Sequence, residues 1–375
     1  MLENVIDVTE QCRHSLMCRH VCPVGNITRV ETLTPHGWAQ LIALERRGLS
    51  SWNEQTVAAL YKCADCGNCR SHCVYSNPLP EGIAAARALV AGQGLAPRIV
   101  YEIGELLREW QNPYARRSPE PARGTGDIAL FIGDEAHFLR PSLVDATLAL
   151  LREVEVEPVL IGRGRNTGFL ASSLGLAALA TELARANLAE LTASGARRLL
   201  VLSPGDFFVF TQMYDERLGL GLPPGTGVEQ VTALLAAQLD AGRLRVNPLD
   251  DRTPYAYVDP THAVRVPGCF DSPRRLLAAL LPDAPRELFW RDGRAYPAGD
   301  LALQFTHPQI ADALTRARLA DAASVGAHRV ITYGPGTLVQ LERHAAAYDL
   351  SVHGLYELLA AQLASARLAR VYQLS

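Results

Sequence analysis

Seven of the eight cysteines lie within the first 73 of 375 residues, in two tight runs, and this clustering limits what the N-terminal part can fold around. The second run, YKCADCGNCRSHCV at 61–74, spaces Cys63, Cys66, Cys69 and Cys73 by two, two and three residues. That spacing lets three thiolates wrap one iron–sulfur cubane while the fourth reaches another cluster. Gly67 eases the tight turn. A zinc ribbon would set its two Cys-x2-Cys knuckles about 15–20 residues apart, and these are nearly adjacent. In a reducing compartment such runs bind metal more often than they form disulfides.

The first run, CRHSLMCRHVCP at 12–23, matches the same pattern with one ligand changed: Cys12, Ser15, Cys18 and Cys22, followed by Pro23. Because the last cysteine of each run ligates the other cluster, Cys22, Cys63, Cys66 and Cys69 are expected to share one [4Fe–4S] cluster. Cys12, Cys18 and Cys73 then hold the other, with Ser15 at its open corner. A serine hydroxyl ionises far less readily than a thiol, so iron at that corner is weakly held, and a [3Fe–4S] cluster is the expected product. A second [4Fe–4S] cluster with Ser15, water or His14 at the fourth iron stays open as an alternative, as does an empty, decayed site. His20 and His72 read as neighbours of ligands rather than ligands, and Arg13, Arg19 and Arg70 as charges that offset the clusters.

Composition adds exclusions. A chain with 48% hydrophobic and 20% charged residues reads as a soluble globular protein, and a net charge of −3 gives no reason to expect nucleic acid. No apolar run reaches the roughly 18–20 residues of a membrane span, and the N-terminus lacks the pattern of a secretory signal. The expected location is the cytoplasm, with membrane association only through partners.

The length calls for more than one core. Residues 1–95 are expected to form a helical domain with two clusters: TPHGWAQLIALERRGLSSWNEQTVAAL (34–60) reads as two helices and PEGIAAARALVAGQG (80–94) as another. Residues 96–126 read as a helix and a linker, rich in Pro, Arg and Gly. Residues 127–250 and 251–375 then alternate strands and helices, the pattern of parallel sheets. Strands are expected at 127–133, 157–162, 196–204, 255–260 and 328–336, and the last element, 352–371, as a helix. "ASGARRLLVLSPGDF" and "SVGAHRVITYGPGTL" share a helix end, a strand and a Pro-Gly turn, which reads as an internal duplication.

Two cluster loops separated by helices resemble the α-helical ferredoxin domain of succinate dehydrogenase, heterodisulfide reductase and glycolate oxidase iron–sulfur subunits. In the succinate dehydrogenase group, loss of the second cysteine accompanies a three-iron cluster. The second half resembles the duplicated CCG domain of the glycolate oxidase, glycerol-3-phosphate dehydrogenase and heterodisulfide reductase proteins, most closely in VDPTHAVRVPGCFDSPRRLL. The family's cysteine positions fall on Thr261, on Ser203 and Asp206, on Gly334 and Thr337, on Asn166–Gly168, and near Tyr296–Gly299, and none is cysteine here. Cys269 lies off the pattern and reads as a plain buried residue. The resemblance implies helical ferredoxin plus degenerate α/β CCG-like repeats without their own cluster.

The function implied is an electron-transfer subunit that relays electrons between an FAD-dependent dehydrogenase, of the 2-hydroxyacid type by resemblance, and an acceptor. Two alternatives stay open: a heterodisulfide-reductase-like catalytic subunit with a rebuilt site around Asp206, His262 and Asp259, or a non-redox scaffold with structural clusters.

Overall fold

The computed structural model describes residues 7, 9, 12, 15–120, 124–266 and 268–364. Arg13, His14 and residues 365–371 of the expected C-terminal helix lie outside the described residues. Among the described residues of the first 110, the regular elements are all helical. Local chemistry starts these helices. Pro23 and Pro35 occupy first-turn positions, where a missing N–H costs nothing. Thr34 caps Pro35–Arg46 through the Gly37 N–H, and Asn53 and Thr56 form a reciprocal capping box on Glu54–Tyr61. The buried Trp38 ring ties the two together by donating to the Ala59 carbonyl at 2.8 Å.

The rest is α/β. Strands β1 (Ile128–Gly133), β2 (Val159–Arg163), β3 (Arg198–Val201) and β4 (Gly227–Gln230) form a parallel sheet in the order β2-β1-β3-β4. Strands β5 (Tyr255–Tyr257), β6 (Arg329–Thr332) and β7 (Ser351–Gly354) form a second parallel sheet in the order β5-β6-β7. β1 is central, which is why Ala129 to Ile132 form an unbroken buried apolar run. Its register sets Ala129 opposite Val159 on one side and Leu199 on the other. Leu130, Ile132, Leu200 and Leu202 pack in one core with Tyr257, Ile331, Tyr333 and Leu355, so the two sheets share a hydrophobic interior.

The C-terminal segment differs from expectation. Ser351–Gly354 is an edge strand and the helix is only Leu355–Ala361. Four residues with a polar face carry too little period-2 signal to stand out from a following helix. β4 escaped notice for the same reason. Each short strand leads directly into a helix, and the six residues LLAAQL recur, at 234–239 within the first helix and at 358–363 over the end of the second and just beyond it. A second correspondence is steric. Gly168 (φ +91°) and Gly299 (φ +94°) both take the left-handed region, and a Cβ on either would press on the carbonyl of the alanine twelve residues on, Ala180 or Ala311.

Candidate metal centre

The Cys63–Cys69 loop is gripped from three sides. Arg87, 1% exposed, donates to the carbonyls of Leu60 at 2.5 Å, Cys63 at 2.8 Å and Ser173 at 2.7 Å. Asp65, also buried, takes a bidentate pair from Arg217 at 3.1 and 3.2 Å. Arg265 reaches both its carboxylate at 2.6 Å and its carbonyl at 2.7 Å. Burial opposes the Asp65 charge, but Arg217 and Arg265 outweigh it and hold the carboxyl well below the usual range. Glu81 completes the network, 3.3 Å from Arg265 and 3.4 Å from Arg217. Gly67 (φ +91°) packs under the Arg265 side chain, where a Cβ would stand 2.9 Å away. The arginines 152 and 200 residues downstream were invisible to spacing arguments. Arg19 and Arg70, expected to offset the clusters, pair with Glu31 and with Glu81 and Glu216.

None of the eight cysteines is in a disulfide. Cys22, Cys63 and Cys66 are buried and Cys69 is half-buried. Burial raises the thiols of Cys22, Cys63, Cys66 and Cys69, Cys66 to about 12. The neighbouring thiols add to this: Cys63 and Cys66 act on Cys22, and Cys63, Cys66, Cys22 and Cys18 act on Cys69. Backbone N–H groups point back at the sulfurs, Gly25 to Cys22 and Asp65 to Cys63, both at 3.4 Å. The other cysteines gather nearer the surface. Cys12, Ser15, Cys18, Cys69 and Cys73 line one cavity. The Cys18 thiol is pushed up to about 11 by burial and then by Cys12 and Cys73. Leu16, Met17, Val74 and Tyr75, at 41%, 45%, 71% and 65% exposure, leave apolar surface around this cavity.

The donor set fits iron–sulfur clusters. Buried thiols of this kind stay protonated without a cation, and iron supplies the positive charge that makes thiolate favourable. The inward N–H groups are donors suited to anionic sulfur. Among the described residues no three His, Cys, Asp or Glu side chains converge as the ligands of a single metal ion would. Cys12, Cys18, Cys69 and Cys73 line a cavity instead.

In the α/β part, the residues standing where cysteines were sought are held by hydrogen bonds. Thr261 bonds Asp300 through its hydroxyl and accepts the Ala298 N–H at 3.0 Å, while Thr337 donates to Asp300 at 3.1 Å. Ser203 donates to Asp206 at 2.9 Å and Asn166 to Asp134 at 3.0 Å. Of the rebuilt site named from sequence, Asp206 and His262 line one cavity. Asp259 does not: Arg274 binds it bidentately at 2.9 Å and the Asp292 N–H at 3.0 Å. Asp134, Glu135 and Asp300 join the cavity or its edge and were missed, although Asp134-Glu135 directly follows a buried strand, a usual ligand position in α/β sheets. Cys269 is half-buried rather than buried, with burial raising its thiol to about 11.

Comparison with known proteins agrees with this geometry. The 4Fe-4S dicluster domain family matches residues 11–77. The D subunit of the dihydromethanophenazine:CoB–CoM heterodisulfide reductase of Methanosarcina barkeri is 25% identical over 330 residues, covering 81% of this chain and 78% of the relative. Its counterparts in Methanosarcina mazei and Methanosarcina acetivorans are 23% and 24% identical over 235 residues, covering 59% of this chain and 57% of each relative. The chain thus spans less than two thirds of the length of these last two. No solved structure matches. Among the described residues no helix is long and apolar enough to cross a membrane. The chain is an electron-transferring iron–sulfur protein of the oxidoreductase class, with a 4Fe-4S dicluster domain and homology to the D subunit of heterodisulfide reductase.

Proposed function

We propose that this chain is the electron relay of a multi-subunit oxidoreductase. Cys22, Cys63, Cys66 and Cys69 hold an inner [4Fe–4S] cluster, and Cys12, Cys18 and Cys73 hold an outer [3Fe–4S] cluster with Ser15 at the open corner. The observation that supports this reading is the arrangement of the seven thiols: Cys22, Cys63, Cys66 and Cys69 act on one another behind the arginine clamp, while Cys12, Cys18 and Cys73 line a cavity with Ser15 that Cys69 also borders. The clusters supply one-electron steps. The protein's own part is to exclude water from the inner sulfurs, to direct N–H groups at them, and to fix the loop through Asp65, Arg217 and Arg265. Arg217 and Arg265 are offset by Asp65 and Glu81, whereas Arg87 binds carbonyl groups, so its charge favours the more negative, reduced state and raises the potential of the inner site.

The apolar rim of Leu16, Met17, Val74 and Tyr75 supports docking of a partner at the outer site. We assign that face to an FAD-dependent dehydrogenase subunit, with a 2-hydroxyacid as the substrate class, in a cytoplasmic or membrane-peripheral complex. The relatives' names tie them to CoB–CoM heterodisulfide. In this chain the second half acts as a degenerate CCG-like pair, a reading supported by the paired LLAAQL segments and by the matched glycines Gly168 and Gly299. With threonine, serine and aspartate at its former cysteine positions, that pair serves as a scaffold for the clamp rather than as a disulfide-reducing site.

The test is Cys18→Ala in the reconstituted complex with the flavoprotein. Retained assembly with loss of flavin-to-acceptor electron transfer is expected. Unchanged turnover would leave the clusters a structural role only.

A further inference from the structure

We propose that Tyr296, Trp290 and Phe289 are the electron exit of the inner cluster, opening at Arg294 toward an acceptor of negative charge. This rests on the assignment of Cys22, Cys63, Cys66 and Cys69 to one inner cluster. A relay needs two ports, and the outer cavity supplies only one.

The route starts at two of the inner cysteines. The Asn68 N–H points at the Cys66 thiol, and the fully buried Asn68 side chain donates to the Ala295 carbonyl at 3.1 Å. From the first cysteine run, the Asn26 N–H bonds the Cys22 carbonyl at 3.0 Å, and the Asn26 amide bonds the Tyr296 hydroxyl. Both cysteine runs are thus tied to one adjacent pair, Ala295 and Tyr296, more than two hundred residues downstream. Burial raises the Tyr296 hydroxyl and the Cys22 and Cys66 sulfurs add to this, which sets both within electrostatic reach of the ring.

Stacked rings carry the route outward. Tyr296 lies on Trp290 with centroids 4.0 Å and planes 19° apart, and Trp290 meets Phe289 edge-on at 4.8 Å. Tyr296 is buried and Phe289 is 60% exposed, so three rings lead from the cysteine loops to solvent. An electron tunnels more readily through bonds, hydrogen bonds and π contacts than across gaps, and this path has all three. The other aromatic group beside the inner loop, Phe169, Phe208 and His262, is wholly buried and leads inward.

Charge sets what meets the end of the route. Arg291 pairs with Glu287 at 2.8 Å, and Asp292 with Arg274 at 3.0 Å. Arg294 forms no ion pair among the described residues and lies exposed over the Phe289 ring, 5.0 Å from its centroid. An exposed ring with an uncommitted cation above it draws anions to the point where the rings reach solvent. In the step itself one electron leaves the reduced inner cluster, which returns to its oxidised state, and a one-electron acceptor takes it. The rings are neither oxidised nor reduced, and no bond or proton moves.

The experiment uses the full-length Cys73→Ala chain, which keeps the inner cluster alone. It is reduced anaerobically and mixed in a stopped-flow spectrometer with one equivalent of tris(oxalato)cobaltate(III), an anionic oxidant, or hexaamminecobalt(III), a cationic one. Iron count and the reduced EPR signal come first: a chain without that signal overturns the inner ligand set and the exit with it, while an intact signal lets the rates judge the exit alone. Added to this background, Arg294→Glu should slow the anionic reagent about tenfold and speed the cationic one. The same reversal at Arg98, exposed on another helix, should do neither. Trp290→Leu should slow both reagents severalfold with the reduction potential unchanged; if it loses the EPR signal, Phe289→Ala at the exposed end takes its place with the same expectation. Redox-inert tris(oxalato)chromate(III) should broaden the Trp290 indole N–H resonance, and cease to do so in Arg294→Glu. Rates unchanged without the ring, or a preference between the two reagents that Arg294→Glu leaves as it was, would overturn the proposal.

Discussion

Replacing Asp206 by asparagine should stabilise the protein relative to wild type by an amount that grows from mild acid to alkaline pH. The folded carboxyl keeps its proton to about pH 7, against 3.8 for the unbiased group, because burial disfavours its charge and Asp134 adds to that. Between those values the folded state binds a proton that the unfolded state has released. Stability therefore falls as pH rises through the window, by about 1.4 kcal/mol per pH unit for this one group. From pH 5 to 7 the loss is about 3 kcal/mol, and above pH 7 it is complete. Asparagine has no proton to lose and can still accept from the Ser203 hydroxyl, which now donates at 2.9 Å. The variant's stability relative to wild type should be about 3 kcal/mol greater at pH 8 than at pH 5, read from anaerobic urea unfolding by circular dichroism at both values. Asp134, Glu135 and Asp300 are also raised and remain in the variant, so some slope persists in both proteins. An offset that is the same at pH 5 and pH 8 would refute the burial argument.

Three further outcomes follow from the clamp, the glycines and the thiol partition. Arg265→Met should cost about 3 kcal/mol, since breaking a buried pair strands the other charge. Asp65→Asn with Arg265→Met should cost less than the two single changes summed, and strict additivity in urea midpoints would deny the coupling. Gly168→Ala should lower the melting temperature more than Gly195→Ala. Both sites have positive φ, but a Cβ on Gly168 would stand 2.7 Å from the Ala180 carbonyl, whereas nothing lies within 4 Å of one on Gly195; the left-handed cost alone is about 1 kcal/mol. Cys66→Ala should remove the inner cluster's reduced-state EPR signal and spare the outer one, with Cys73→Ala doing the reverse; loss of the same signal in both variants would contradict the two ligand sets.

What could be read in the sequence was whatever is encoded locally. The cysteine spacing, the Thr34-Pro35 helix start and the buried runs of β1 and β3 each depend on neighbours a few residues away. β4 and β7 were hidden because short edge strands need only half their residues apolar. The clamp on Asp65 was out of reach, because Arg217 and Arg265 come to it from the α/β part and no local pattern pairs them. The cavity was half legible. Asp206 stood at a position where cysteine was sought and His262 next to one, Thr261, so they drew notice. Asp259 drew notice as part of the same Asp-Pro-Thr-His element, yet Arg274, fifteen residues on, neutralises it. Glu135 and Asp300 become neighbours only when the two sheets meet.

The central claim is that Ser15 marks an incomplete corner in a two-cluster relay. The most direct measurement is EPR on anaerobically purified protein, oxidised and dithionite-reduced, with iron counted per chain, for wild type and Ser15→Cys. The account predicts about seven irons and an oxidised-state signal that vanishes on reduction, since three ferric ions leave an odd spin. In Ser15→Cys it predicts about eight irons and a silent oxidised state. Eight irons with a silent oxidised wild type would contradict it and would mean that the corner at Ser15 already holds its iron.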